Sequence, residues 1–101
     1  MLGLVAALGL AACGDTVGYS KGTGDKIRGK ELFTKGCGSC HTLADAGTTG
    51  NVGPNLDQLK PGELRVEHQV INGGGAMPAF KGTLTPAQIT AVAKYVASAA
   101  G

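Results

Sequence analysis

The chain has 101 residues, 18 of them Gly, with two Phe, two Tyr and no Trp. That length allows one domain, and the small number of large apolar side chains argues against a core that is stable unaided. The net charge of +2 is spread without a basic run, which excludes the concentrated basic face of a nucleic-acid binder.

Residues 1–12, MLGLVAALGLAA, form an apolar run too short to span a bilayer but of the length of a signal-peptide core. It ends in Leu10-Ala11-Ala12-Cys13-Gly14, which resembles the bacterial lipoprotein box. The resemblance implies removal of 1–12, acylation of Cys13 and anchoring to a membrane outside the cytoplasm. No Lys or Arg precedes the apolar run, a departure from that pattern. The alternatives are ordinary signal cleavage near Ala12 and a short buried helix. Residues 13–25 are rich in Gly, Ser, Thr and Asp and read as a flexible tether. The folded domain is therefore expected over 26–101.

A first helix is predicted from about Lys26 to Cys40, with Ile27, Leu32 and Phe33 inward. It runs into Cys37-Gly38-Ser39-Cys40-His41, a C-x-x-C-H motif that reads as c-type haem attachment. Each thiol can add across one haem vinyl group, and the adjacent imidazole can ligate the iron. A thioredoxin-like site would need a preceding strand. A zinc site would need Cys37, Cys40, His41 and a distant fourth ligand such as His68. A Cys37–Cys40 disulfide would leave His41 without a role.

The haem motif, Gly53-Pro54-Asn55-Leu56, Ala76-Met77-Pro78-Ala79-Phe80 and a closing helix together resemble a small bacterial class I monohaem cytochrome c, over Lys26 to Gly101. The resemblance implies an all-α fold of three to four short helices around one covalently bound haem c. It implies His41 and Met77 as axial iron ligands and a bond from His41 to the Pro54 carbonyl. Leu56 and Leu59 are then expected at the haem edge.

After His41, TLADAGTTGNVGPNL reads as a loop. A middle helix is predicted over Pro61–Ile71, stopped by Gly73-Gly74-Gly75, with Leu64, His68 and Ile71 on its apolar face. His68 is thereby the rival of Met77 for the sixth iron position, while Glu63 and Glu67 read as a solvated face. The last helix starts at a capping box, Thr85-Pro86-Ala87-Gln88, and carries the stripe Ile89, Val92, Ala93, Val96. The resemblance implies that Tyr95 packs on the first helix near Gly29 and Phe33, where the missing side chain of Gly29 allows close approach.

No Ser-His-Asp set, phosphate loop or catalytic carboxylate pair accompanies these features. The expected function is one-electron transfer by a monomer, not enzyme catalysis. The expected partners are a terminal oxidase or an upstream quinol-oxidising complex, with Lys35, Lys60 and Lys81 available to an acidic surface. The rival readings are a peroxidase-like or gas-sensing haem protein with a labile sixth ligand, and a zinc-stabilised structural lipoprotein.

Overall fold

A computed structural model describes residues 21–101, with side chains from Arg28 onward. The apolar leader, Cys13 and the tether up to residue 20 lie outside the described residues. Helix α1 spans Lys21–Gly36, so the last part of the expected tether is helical and the helix starts before Lys26. Adding residues to an established helix forms one hydrogen bond per residue fixed, which lets even a Gly-containing segment propagate.

The far end of α1 comes earlier than the expected Cys40. The Phe33 carbonyl accepts from the N–H groups of both Cys37 (2.8 Å) and Gly38 (3.0 Å), and the Cys37 carbonyl from those of Cys40 and His41 (3.1 Å each). The Gly38 bond spans five residues and the Cys40 bond three in place of the regular four, so the helical ladder ends in a turn here.

Two short strands follow, β1 (Thr42–Leu43) and β2 (Thr48–Thr49), antiparallel with Thr42 opposite Thr49. They flank a 3-10 turn at Ala44–Ala46. The segment expected to be a plain loop is thus a small hairpin, because threonine hydroxyls supplement its few ladder bonds. Thr42 donates to the Gly50 carbonyl at 2.8 Å and Thr48 to that of His41 at 2.9 Å. Fully buried Leu43 pins the hairpin to the core.

Helix α2 (Leu56–Leu59) is capped by Asn55, whose Oδ1 accepts from the N–H groups of Asp57 and Gln58. Asp57 in turn accepts from the Ala44 and Gly101 backbones, at 2.8 and 3.1 Å. Helix α3 (Glu63–Asn72) begins at its cap Gly62, slightly later than expected, and ends where Gly73 donates back to the Gln69 carbonyl. Helix α4 (Pro86–Ala99) starts with the expected capping box: Thr85 Oγ1 accepts from Gln88 N–H at 3.1 Å, and Gln88 Oε1 from Thr85 N–H at 2.8 Å. A Thr85→Ala substitution is expected to cost about 1 kcal/mol, read as a lower denaturant midpoint with an unchanged visible spectrum.

Helices α1 and α4 pack closely at Gly29. A Cβ placed there would lie 2.3 Å from the Ala91 carbonyl oxygen and 2.6 Å from Tyr95 Cβ. One turn on, the Phe33 and Tyr95 rings meet at a centroid distance of 6.1 Å and 57° between planes, the tilted arrangement aromatic pairs prefer. Tyr95 is buried and its hydroxyl donates to Asp45 Oδ2 at 2.6 Å. Burial pushes the hydroxyl's pKa well up, and the Asp45 carboxylate pushes it further. Phe33, Leu43, Leu56, Val92, Tyr95 and Val96 form the core cluster.

Helix α3 is turned differently from the expectation. Its inward residues are buried Val70 and half-buried Val66, while Leu64 is 78% exposed, His68 is exposed and Ile71 is half-buried. Apolar residues at 64, 66, 70 and 71 do not fall on one arc, so periodicity within ten residues left the phase open. Glu63 keeps the solvated position expected of it, pairing with Lys94 at 3.5 Å with both side chains exposed, whereas Glu67 accepts from Thr90 at 3.0 Å in a partly buried contact; both partners are on α4.

Candidate functional site

The helices enclose a cavity of about 420 Å³ with a mostly apolar wall. Phe33 and Cys37 reach it from the end of α1, Leu56 and Leu59 from α2, Val66 and Val70 from α3, and Val92 and Val96 from α4. The turn after α1 adds Cys40 and His41, and the segment after α3 adds Met77, Pro78 and Phe80.

His41 is fixed from two sides. Its Nδ1 lies 2.8 Å from the Pro54 carbonyl oxygen; a carbonyl can only accept, so the ring proton is on Nδ1 and the Nε2 lone pair is left to ligate. The ring also lies flat against Gly53, where a Cβ would come within 2.5 Å of Cε1 and 3.0 Å of both ring nitrogens. Gly53 is itself tied to the attachment turn, donating to the Cys40 carbonyl at 2.8 Å. The Gly53-Pro54 pair thus orients the imidazole with one backbone carbonyl and one missing side chain.

Both cysteines are half-buried free thiols. Burial, followed by the neighbouring Cys40, pushes the Cys37 thiol up to about 11, so an unreacted Cys37 is protonated at neutral pH. Met77 stands on a tight reversal in which the Gly74 and Met77 backbones exchange hydrogen bonds of 2.9 and 3.0 Å. Gly73 begins the reversal at φ +66° against the Pro78–Ala79 backbone, a position that leaves no room for a side chain. Phe80 N–H returns the segment to α3 at the Val70 carbonyl, 2.8 Å away.

The geometry brings Cys37, Cys40, His41, Pro54, Leu56, Leu59 and Met77 to one cavity. His68 is not on its wall, and Cys13 lies outside the described residues. Sequence reasoning missed Arg65, Val66, Gln69 and Val70, which line the cavity from α3. Their spacing, two adjacent pairs one turn apart, is the signal, and it competes with the Leu64–His68–Ile71 stripe.

An apolar chamber with two thiols, an imidazole with free Nε2 and a thioether on its wall suits a covalently attached haem. It does not suit a bare metal ion: among the described residues no three His, Cys, Asp or Glu side chains are grouped to hold one. Residues 24–96 match the family described as cytochrome c oxidase, cbb3-type, subunit III. The chain belongs to this family of c-type cytochromes.

The cytochrome is 36% identical over 83 residues to cytochrome c6 of Diacronema lutheri, covering 77% of this chain and all of the relative. It is 39% identical over 81 residues to cytochrome c6 of Anabaena variabilis, covering 71% and 88%. Among solved structures it resembles the c-type cytochrome SorU of Sinorhizobium meliloti, with 49% identity and a TM-score of 0.72 over 76% of this chain and 92% of that one. The cytochrome is a monohaem electron carrier with one covalently attached haem c.

Proposed function

We propose that this cytochrome carries single electrons between protein partners with no substrate chemistry of its own, using His41 and Met77 as axial ligands. One observation carries the reading: an imidazole with Nδ1 committed to the Pro54 carbonyl and a methionine share the wall of one apolar cavity. When bound, the haem supplies a single iron that cycles between Fe(III) and Fe(II).

The protein's own residues do the rest. Each of the Cys37 and Cys40 thiols adds S–H across one vinyl group, giving two thioethers. Pro54 holds the His41 ring and raises its basicity as a ligand. Met77 supplies a soft sulfur, which favours the reduced iron and raises the potential. The apolar wall, with Leu56 and Leu59 beside it, keeps water away.

Cys13 anchors the chain through acyl groups, residues 1–12 being removed, and the domain works outside the cytoplasm. Its partners are a terminal oxidase or an upstream quinol-oxidising complex. Among the described residues no helix is long and apolar enough to cross a membrane. Intact mass of the mature protein reports haem, cleavage and acylation together.

Ligation is tested by absorption spectroscopy of both redox states with carbon monoxide. The wild type is expected to show the weak long-wavelength Met–iron band when ferric and to bind carbon monoxide slowly when ferrous. Met77→Ala is expected to abolish the band, bind carbon monoxide rapidly and lower the potential by on the order of 0.1 V, within the roughly 0.8 V that axial ligands span. His68→Ala is expected to change none of these. Rapid binding to the wild type with no such band would overturn the carrier reading in favour of a labile sixth position.

A further inference from the structure

The cavity wall carries one formally charged side chain among the described residues, Arg65. It reaches the cavity from α3, the helix that also presents Val66, Gln69 and Val70. The acidic residues of that helix are engaged on the other side, Glu63 with Lys94 and Glu67 with Thr90. Among the described residues Arg65 makes neither an ion pair nor a side-chain hydrogen bond, and it is exposed. It therefore stands at the rim, where an apolar wall meets water.

A guanidinium contributes nothing to holding a hydrocarbon surface. Its planar fork of donors matches a carboxylate. Haem is amphipathic, an apolar macrocycle with two propionate carboxylates on one edge. The other titratable groups on the wall are Cys37, Cys40 and His41; the first two become thioethers and the third is the proposed proximal ligand. Among the described residues no Asp or Glu lines the cavity, so none of them offers Arg65 a competing anion there.

We propose that Arg65 is a positioning residue that binds a haem propionate at the cavity rim and raises the potential of the iron. The inference rests on the haem occupying this cavity, which the mass and visible spectrum of each variant report independently.

The sign follows from charge. A fixed cation beside the haem disfavours Fe(III) and favours the ionised carboxylate. Removing it lowers the potential at neutral pH and raises the pH at which the propionate takes up a proton. Protonation removes a negative charge, so the potential climbs as pH falls through that point.

The test is spectroelectrochemical titration of wild-type, Arg65→Gln and Arg65→Lys holoproteins from acid to neutral pH. Arg65→Gln is expected to have the lower potential at neutral pH, with the acid-side climb beginning about one unit or more higher in pH. Arg65→Lys, which keeps the charge but not the fork, is expected to lie between. A haem-loaded Arg65→Gln protein with the wild-type potential and pH profile would overturn the proposal. A change confined to salt-dependent rates with a redox partner overturns it too, because that assigns Arg65 to docking. Should the Gln variant fail to mature, an Arg65→Lys profile identical to wild type counts against the proposal and a shift in the stated direction supports it.

Discussion

A Cys37→Ser/Cys40→Ser variant is expected to lose covalent haem and, with it, most of the helical circular dichroism of the native protein. The reason lies in where the large side chains point. Phe33, Leu56, Val70, Val92 and Val96 are buried, yet each also lines the cavity. Phe33, Leu56, Val92 and Val96 also pack on one another in the core cluster, but their cavity-facing surfaces are left for the haem to cover. Without haem the apolar wall of this cavity of about 420 Å³ faces water, and each Å² of apolar surface left uncovered forgoes roughly 25 cal/mol. Against the stability of a typical domain, roughly 5–15 kcal/mol, a loss of this kind is large. The chain escapes the cost by collapsing or unfolding, and both abolish the native arrangement. Far-ultraviolet circular dichroism and a thermal melt decide it: a cooperative, native-like transition in the haem-free variant would show that the polypeptide core suffices alone.

Gly29→Ala is expected to destabilise the haem-loaded protein by about 3 kcal/mol. Helix propensity runs the other way, since Ala is favoured over Gly by roughly 1 kcal/mol in a helix interior. Sterics win because the obstruction is backbone: the new methyl would meet the Ala91 carbonyl at 2.3 Å and the Tyr95 Cβ at 2.6 Å, and neither can rotate aside. Helix α4 has to move outward, which loosens the Phe33–Tyr95 pair and strains the Tyr95–Asp45 hydrogen bond. Gly62→Ala is the control, because a Cβ there meets nothing within 4 Å and Gly62 is not on the cavity wall; its expected cost, that of a less favourable helix cap, is below about 1 kcal/mol. Denaturant midpoints of the two ferric variants against wild type make the comparison. Equal midpoints for all three would mean that the α1–α4 contact tolerates separation.

Legibility in the sequence followed the range of the interaction. The attachment motif Cys37 to His41 and the capping box at Thr85–Gln88 were readable because each depends on a few neighbouring residues with a strong chemical preference, whereas the closeness of Gly29 to Tyr95, far apart in the chain, came only through the family resemblance. The ends of α1 were less so: the stop at Gly36 depends on how the Phe33 and Cys37 carbonyls are shared. The phase of α3 was misread because Leu64, Val66, Val70 and Ile71 support two faces equally. Burial of Val70 settles the phase, with Val66 beside it on the cavity wall and the Glu67–Thr90 bond reaching α4.

By itself the sequence determined the chemistry of this protein: two thiols and an imidazole at a spacing that suits covalent haem, in a chain too poor in large apolar residues to do without it. Those are local facts of residue type and order. Only the tertiary structure decided how the site is built around them. The Pro54 carbonyl reaches His41, Gly53 makes room for its ring, and α3 turns Arg65 and Gln69 rather than His68 toward the cavity. Such choices rest on contacts between segments distant in the chain, where many weak terms compete and only their sum in the packed state selects one arrangement.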